Sequence, residues 1–249
     1  MNNFKIQISL FLITLVVTGC ITPPEFSDTP KISFNDLKFH DSSQGADSLV
    51  LRFDFEDGDG DIGLEATETY RPYHPYNLII DFRDSLVTYS DPNVVPPFYL
   101  VDPRGASLVY SEDDNRPIYN CSQYQIGSYQ NGPIDTFFIE KNEYHNNLHI
   151  TFERKRQGQY TEIDFASSFA NANCAVVDFD GRIPIFDQGS LGKSLNGTIT
   201  YAMLSAGFPT ILKLDTFRLT FYAYDRDLNK SNIIVSPDVT LPQITVEVN

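Results

Sequence analysis

The chain has 249 residues and sets 33 Asp and Glu against 18 Lys and Arg, a formal charge of −15 at pH 7. That balance argues against nucleic acid as a partner and against polybasic attachment to anionic lipid. A length of this order suits one large β domain or two small ones.

The first residues, MNNFKIQISLFLITLVVTGC, place one Lys (Lys5) before an apolar run from Ile6 to Val17. The run is too short for an ordinary membrane span and has the build of an export signal over residues 1–19. Small residues just before Cys20 resemble the bacterial lipobox, in which the thiol is linked to diacylglycerol. The sequence therefore predicts a lipidated Cys20 and a membrane attachment through its acyl chains. Residues 20–30 carry three prolines and no apolar periodicity, as a tether does. Ile21 stands where an Asp would retain a lipoprotein in the inner membrane, so the expected location is the outer membrane, facing the periplasm or the cell surface.

From residue 31 onward, period-two alternation dominates. KISFNDLKFHD and SLVLRFDFEDGDGD supply two opening strands, with Leu49, Leu51, Phe53 and Phe55 on one face. Leu78, Ile80 and Phe82 alternate next, then Leu148, Ile150 and Phe152, then Ile199, Tyr201 and Met203. Phe217, Leu219, Phe221 and Ala223 follow, and Ile244, Val246 and Val248 end the series. FASSFANANC, residues 165–174, has room for a turn or two of helix. Strands separated by Asn, Asp, Gly and Pro clusters predict an all-β, antiparallel sandwich with an expanded, loop-rich middle. The expected domain is 31–249, with an insertion at about 88–190. Cys121 and Cys174 are an even pair in an oxidising compartment, and the plain reading is a disulfide between them.

In FEDGDGDIGLEATE the carboxylates of Asp57, Asp59 and Asp61 stand at every second position, with Gly58, Gly60 and Gly63 between and after them. Calcium takes six to eight oxygens from a loop that curls around it, and glycine permits the curl. An EF-hand is rejected, because Ile62 stands where that motif needs Gly and a strand, not a helix, precedes the loop. A calcium loop on a sandwich is not rejected, with Glu65 or Glu68 or a backbone carbonyl completing the shell. Asp225, Asp227 and Asn229 form a second acidic cluster that also follows a strand. The competing reading is two solvated, metal-free acidic turns.

Enzyme signatures fail. GSLGKS at 189–194 has Asp187 where a phosphate-binding loop needs its leading Gly. His145 and His149 are four apart, but Asn146 and Asn147 between them read as a hairpin turn. The loops YRPYHPY (70–76) and PNVVPPFYLVDP (92–103) are better candidates for contact surfaces, through Tyr70, Tyr73, Tyr76, Phe98 and Tyr99. The bland reading is that these rings cover the end of the core.

The lipobox, the Pro-rich tether, FxFxDGDGDIG and the terminal DRDLNKSN together resemble a group of Gram-negative surface lipoproteins with immunoglobulin-like β-sandwiches. The resemblance covers the first third and last fifth of the mature chain, and implies a fold and a location but no activity. The expected function is a non-enzymatic outer-membrane lipoprotein, calcium-stabilised, that binds a protein or glycan partner through its loops. The alternatives are a purely structural envelope component, or a carbohydrate-binding accessory or hydrolase using the 70–135 region.

Overall fold

A computed structural model describes residues 25–42, 47–101, 107–129, 131–165, 178–186, 189, 192–204, 207–213 and 215–247. Cys20, Cys174 and most of the 165–174 segment lie outside these residues, and with them the expected lipidation, disulfide pairing and helical turn. Among the described residues no helix is long and apolar enough to cross a membrane.

The chain is all-β. Its strands are β1 (Lys31–Asp41), β2 (Ser48–Asp57), β3 (Tyr76–Ile80), β4 (Phe98–Val101), β5 (Ser107–Ser111), β6 (Tyr124–Ser128) and β7 (Ile134–Lys141). After a 3-10 turn at Glu143–His145 come β8 (Leu148–Arg156), β9 (Gln159–Glu162), β10 (Leu195–Leu204), β11 (Phe217–Ala223), β12 (Ile234–Val235) and β13 (Thr245–Glu247). Two helical turns, α1 (Phe208–Leu212) and α2 (Leu241–Ile244), complete the order.

Two four-stranded sheets, β10-β2-β1-β13 and β12-β11-β8-β9, enclose one apolar core. Alternation decides which side chains enter it. From β2 come Leu49, Leu51, Phe53 and Phe55; from β8, Leu148, Ile150 and Phe152; from β11, Phe217, Leu219, Phe221 and Ala223. Phe53 meets Phe221 across the sheets with ring centroids 5.5 Å apart. On the outer face of the second sheet, Arg218 and Glu153 are register partners and form an ion pair of 2.8 Å, a cross-strand pair that helps hold the register.

The third sheet, β5-β4-β3-β7-β6, lies between β2 and β8 in the chain and has its own small core of Ile79, Val87, Val94, Phe98, Tyr124 and Phe138. The inserted unit thus runs over residues 76–141, which shifts the expected boundaries of 88–190 at both ends. The strand expected through Leu78, Ile80 and Phe82 is β3, which ends at Ile80 and pairs with β4 and β7, not with the sandwich. LHITFERKR, placed by the sequence inside the insertion, is instead the sandwich strand β8, because Leu148, Ile150 and Phe152 fill the main core. Asn146 and Asn147 make no hairpin; they carry the chain from the 3-10 turn into β8. The last strand also differs from expectation. Pro242 and a capping box at Thr240 start the helical turn α2, and Thr245–Glu247 pair in parallel with β1, while Val248 lies outside the described residues.

Phe53→Ala should destabilise the sandwich by about 3–5 kcal/mol, the cost of emptying a fully buried phenylalanine site. Urea unfolding should show a lower midpoint with an unchanged slope. A shift below about 1 kcal/mol would mean that the two sheets do not share this core.

Candidate metal centre

β2 ends where its pairing with β10 ends, at Asp57 opposite Leu195. The chain then folds back: Asp57 Oδ2 accepts the Ile62 N–H at 2.8 Å, closing a tight acidic loop. Gly60 sits at φ +68°, a left-handed conformation that glycine adopts without a Cβ penalty. Gly58 is required by proximity. Its N–H donates to Ser27 O at 2.8 Å, and a Cβ there would lie 2.6 Å from Phe26 O. Ile62, fully buried, ends the loop by pointing into the main core.

A bracket formed by Asn147 holds the loop from the other sheet. Its Nδ2 donates to Ile62 O at 2.6 Å and its Oδ1 accepts the Ile183 N–H at 2.7 Å. Leu64 N–H donates in turn to Ile183 O at 2.8 Å. So held, the loop brings one carboxylate oxygen from each of Asp57, Asp59 and Asp61 within 4.8 Å of one another. Asp57 is 0% exposed, and the Oδ1 atoms of all three are buried without a hydrogen-bond partner.

Three carboxylates in that arrangement oppose one another, by about 3 kcal/mol for each ionised pair at an effective dielectric of about 20. Burial, and then repulsion from Asp59 and Asp225, pushes the Asp57 carboxyl up to about 7, although the bond from Ile62 works against the rise. Asp61 is also pushed up to about 7, by burial and then by Asp225, Asp59, Asp57 and Asp227. Buried orphaned oxygens of this kind are rare in native proteins unless something positive joins them. A divalent cation with oxygen preference fits the donor set, and calcium fits a loop that delivers several oxygens better than magnesium, which keeps its waters.

The other expected ligands are placed differently. Glu68 is committed to Arg226, accepting from Nη1 at 2.9 Å and from Nη2, and it also accepts the Glu65 N–H at 2.8 Å. The Arg226 guanidinium holds this carboxyl below its usual range. Glu65 is exposed, and its carbonyl accepts from Arg182. Asn229 binds within its own turn, its N–H and Nδ2 donating to the two oxygens of Asp225 at 2.7 and 2.9 Å. Asp225 itself is 2% exposed, and Asp227 is exposed.

The aromatic loop residues divide. Phe98 lies in the small core and Tyr73 is buried, its hydroxyl donating to Arg226 O at 2.6 Å. These two cover and fill rather than present a surface. Tyr70 and Tyr76 are 63% and 40% exposed, and Tyr99 is half-buried. Tyr76 joins Arg71, His74 and Tyr129 around a cleft of about 310 Å³ floored by Leu78, Ile80, Leu86 and Val101.

Sequence reasoning missed Asn147, Arg182 and Arg226, which organise the surroundings of the acidic loop. No local pattern marks them, since their partners lie far along the chain. The fold and site define an all-β chain with a cluster of three carboxylates, Asp57 buried and Asp59 and Asp61 half-buried, at one end of a sandwich. No family model, curated protein or solved structure matches it.

Asn147→Ala should cost about 1–3 kcal/mol for each group it orphans, because Ile62 O and the Ile183 N–H stay buried. Urea unfolding in chelator measures this directly. An unchanged midpoint would show that the bracket carries no stability.

Proposed function

We propose that the protein is a non-enzymatic, lipid-anchored module of the outer membrane, an immunoglobulin-like sandwich whose Asp57–Asp61 loop binds one calcium ion. The observations that carry the metal reading are that Asp57, Asp59 and Asp61 each bring a carboxylate oxygen within 4.8 Å of the others, and that each has a buried Oδ1 atom without a hydrogen-bond partner. The strand orders β10-β2-β1 and β12-β11-β8-β9 support the immunoglobulin-like reading, with β3–β7 as an insertion between the second and third sandwich strands. The exposed Tyr70 and Tyr76 and the cleft beside Arg71 favour a glycan or protein partner at the inserted sheet over a purely structural role.

Extracellular calcium modules have dissociation constants near ~10⁻⁴–10⁻³ M. Calcium at a hundred times its constant would stabilise the fold by about 2.7 kcal/mol. Thermal unfolding with chelator and then with millimolar calcium should show a midpoint several degrees higher with calcium. Asp59→Asn combined with Asp61→Asn should erase that difference. A wild-type midpoint indifferent to calcium, with no binding heat by calorimetry, would leave the stretch as an acidic turn.

The anchor has its own test. Cys20→Ala should abolish metabolic labelling with palmitate and block maturation of the precursor. Undiminished label in the variant would end the lipoprotein reading.

A further inference from the structure

We propose that the cation centre belongs to both sheets: Asp225, at the head of the β11–β12 connection, acts on an ion held by Asp57, Asp59 and Asp61, so that occupancy fastens the two turns together. This rests on the calcium reading above and extends it from one loop to an inter-sheet clamp.

The two turns leave opposite sheets and meet at one end of the sandwich. The Tyr224 N–H donates to Asn147 O at 2.8 Å, and Asn147 Nδ2 donates to Ile62 O, so a single residue spans from the second turn to the first. Arg226 makes the reciprocal contact, with Nη1 on Gly63 O at 3.3 Å and the guanidinium on Glu68. Arg226 is the one cation of the DRD stretch, and it is thereby committed. Asp225 has no ion-pair partner among the described residues, although its side chain is buried.

A buried carboxylate without a counter-charge is costly to keep. Asp225 accepts one hydrogen bond on each oxygen, both from Asn229, while a carboxylate has about four acceptor sites. Its remaining capacity is unspent at the end of the sandwich where the three carboxylates of the first turn converge. Asp225 is not among the three whose oxygens lie within 4.8 Å; it stands between Tyr224 and Arg226, whose contacts with Asn147 and with Gly63 O fix its turn beside the first. Calcium shells often take a carboxylate through a bound water, which suits that placement. The competing role for Asp225 is structural only: an acceptor that shapes its own turn through Asn229.

Hydrogen exchange on the purified full-length wild type separates these roles, comparing chelator with saturating calcium. A two-sheet clamp should slow exchange at both 58–64 and 224–231, whereas a one-loop site slows only the first. Asp225→Asn keeps an acceptor for the Asn229 N–H, and should weaken calcium binding at least tenfold by calorimetry. Glu112→Gln, an equal change of net charge at an exposed position, should leave the affinity unchanged. Protection confined to 58–64, with Asp225→Asn binding within twofold of wild type, would overturn the clamp while leaving the calcium loop standing. Absence of calcium binding to wild type would remove both. If Asp225→Asn does not fold, the wild-type exchange pattern decides.

Discussion

β2 and β11 face each other through Phe53 and Phe221, and the alternation that buries these rings also fixes where each strand stops. β2 delivers its last core residue, Phe55, two positions before Asp57; β11 delivers Ala223 two positions before Asp225. Because the core sets both registers, it sets the heights at which the two acidic turns emerge. The acidic residues are therefore neighbours as a consequence of apolar packing, although 168 positions of sequence separate Asp57 from Asp225. The acidic charges of the turns oppose their meeting, and the Arg226–Glu68 pair and the Asn147 bridge work for it.

That opposition is contained by neutral and paired contacts placed around it. Asn147 binds both turns with uncharged hydrogen bonds, Arg226 is neutralised by Glu68, and Ile62 plugs the loop into the core. Among the described residues none of the three carboxylates has an ion-pair partner. A sequence selected for stability alone would place Lys or Arg there, since a single ammonium would relieve the repulsion. The local rule is broken at one place in an otherwise consistent fold, as functional sites commonly do.

Much of this was legible in the residues, and the failures have physical causes. The alternation of β2, β8 and β11 was plain, because each strand has one face in a thick core and the other toward solvent. Which sheet a strand joins was not, because period two is the same for Leu78–Ile80 in the inserted sheet as for Leu148–Phe152 in the sandwich. Asp57, Asp59 and Asp61 could be read as a converging set from their spacing. The commitment of Glu68 to Arg226 could not be read from the spacing that made it one of several candidates to complete the shell. Here the loop closes at Ile62, and the following chain turns toward an arginine 158 residues away. Asn147 carried no signal at all; two consecutive asparagines before a strand look like a turn, and only the fold shows what one of them grips.

Gly58 has a further consequence, mechanical rather than chemical. The segment Phe26–Asp28 crosses directly over it, with a backbone hydrogen bond from Gly58 to Ser27 and no room for even one methyl group between them. Tension applied through the chain ahead of Phe26 reaches the acidic loop before it reaches β1. The stiffness of that loop then sets how much of the load enters the sandwich, and an ion within it would act as a rivet at the point where the strap meets the body.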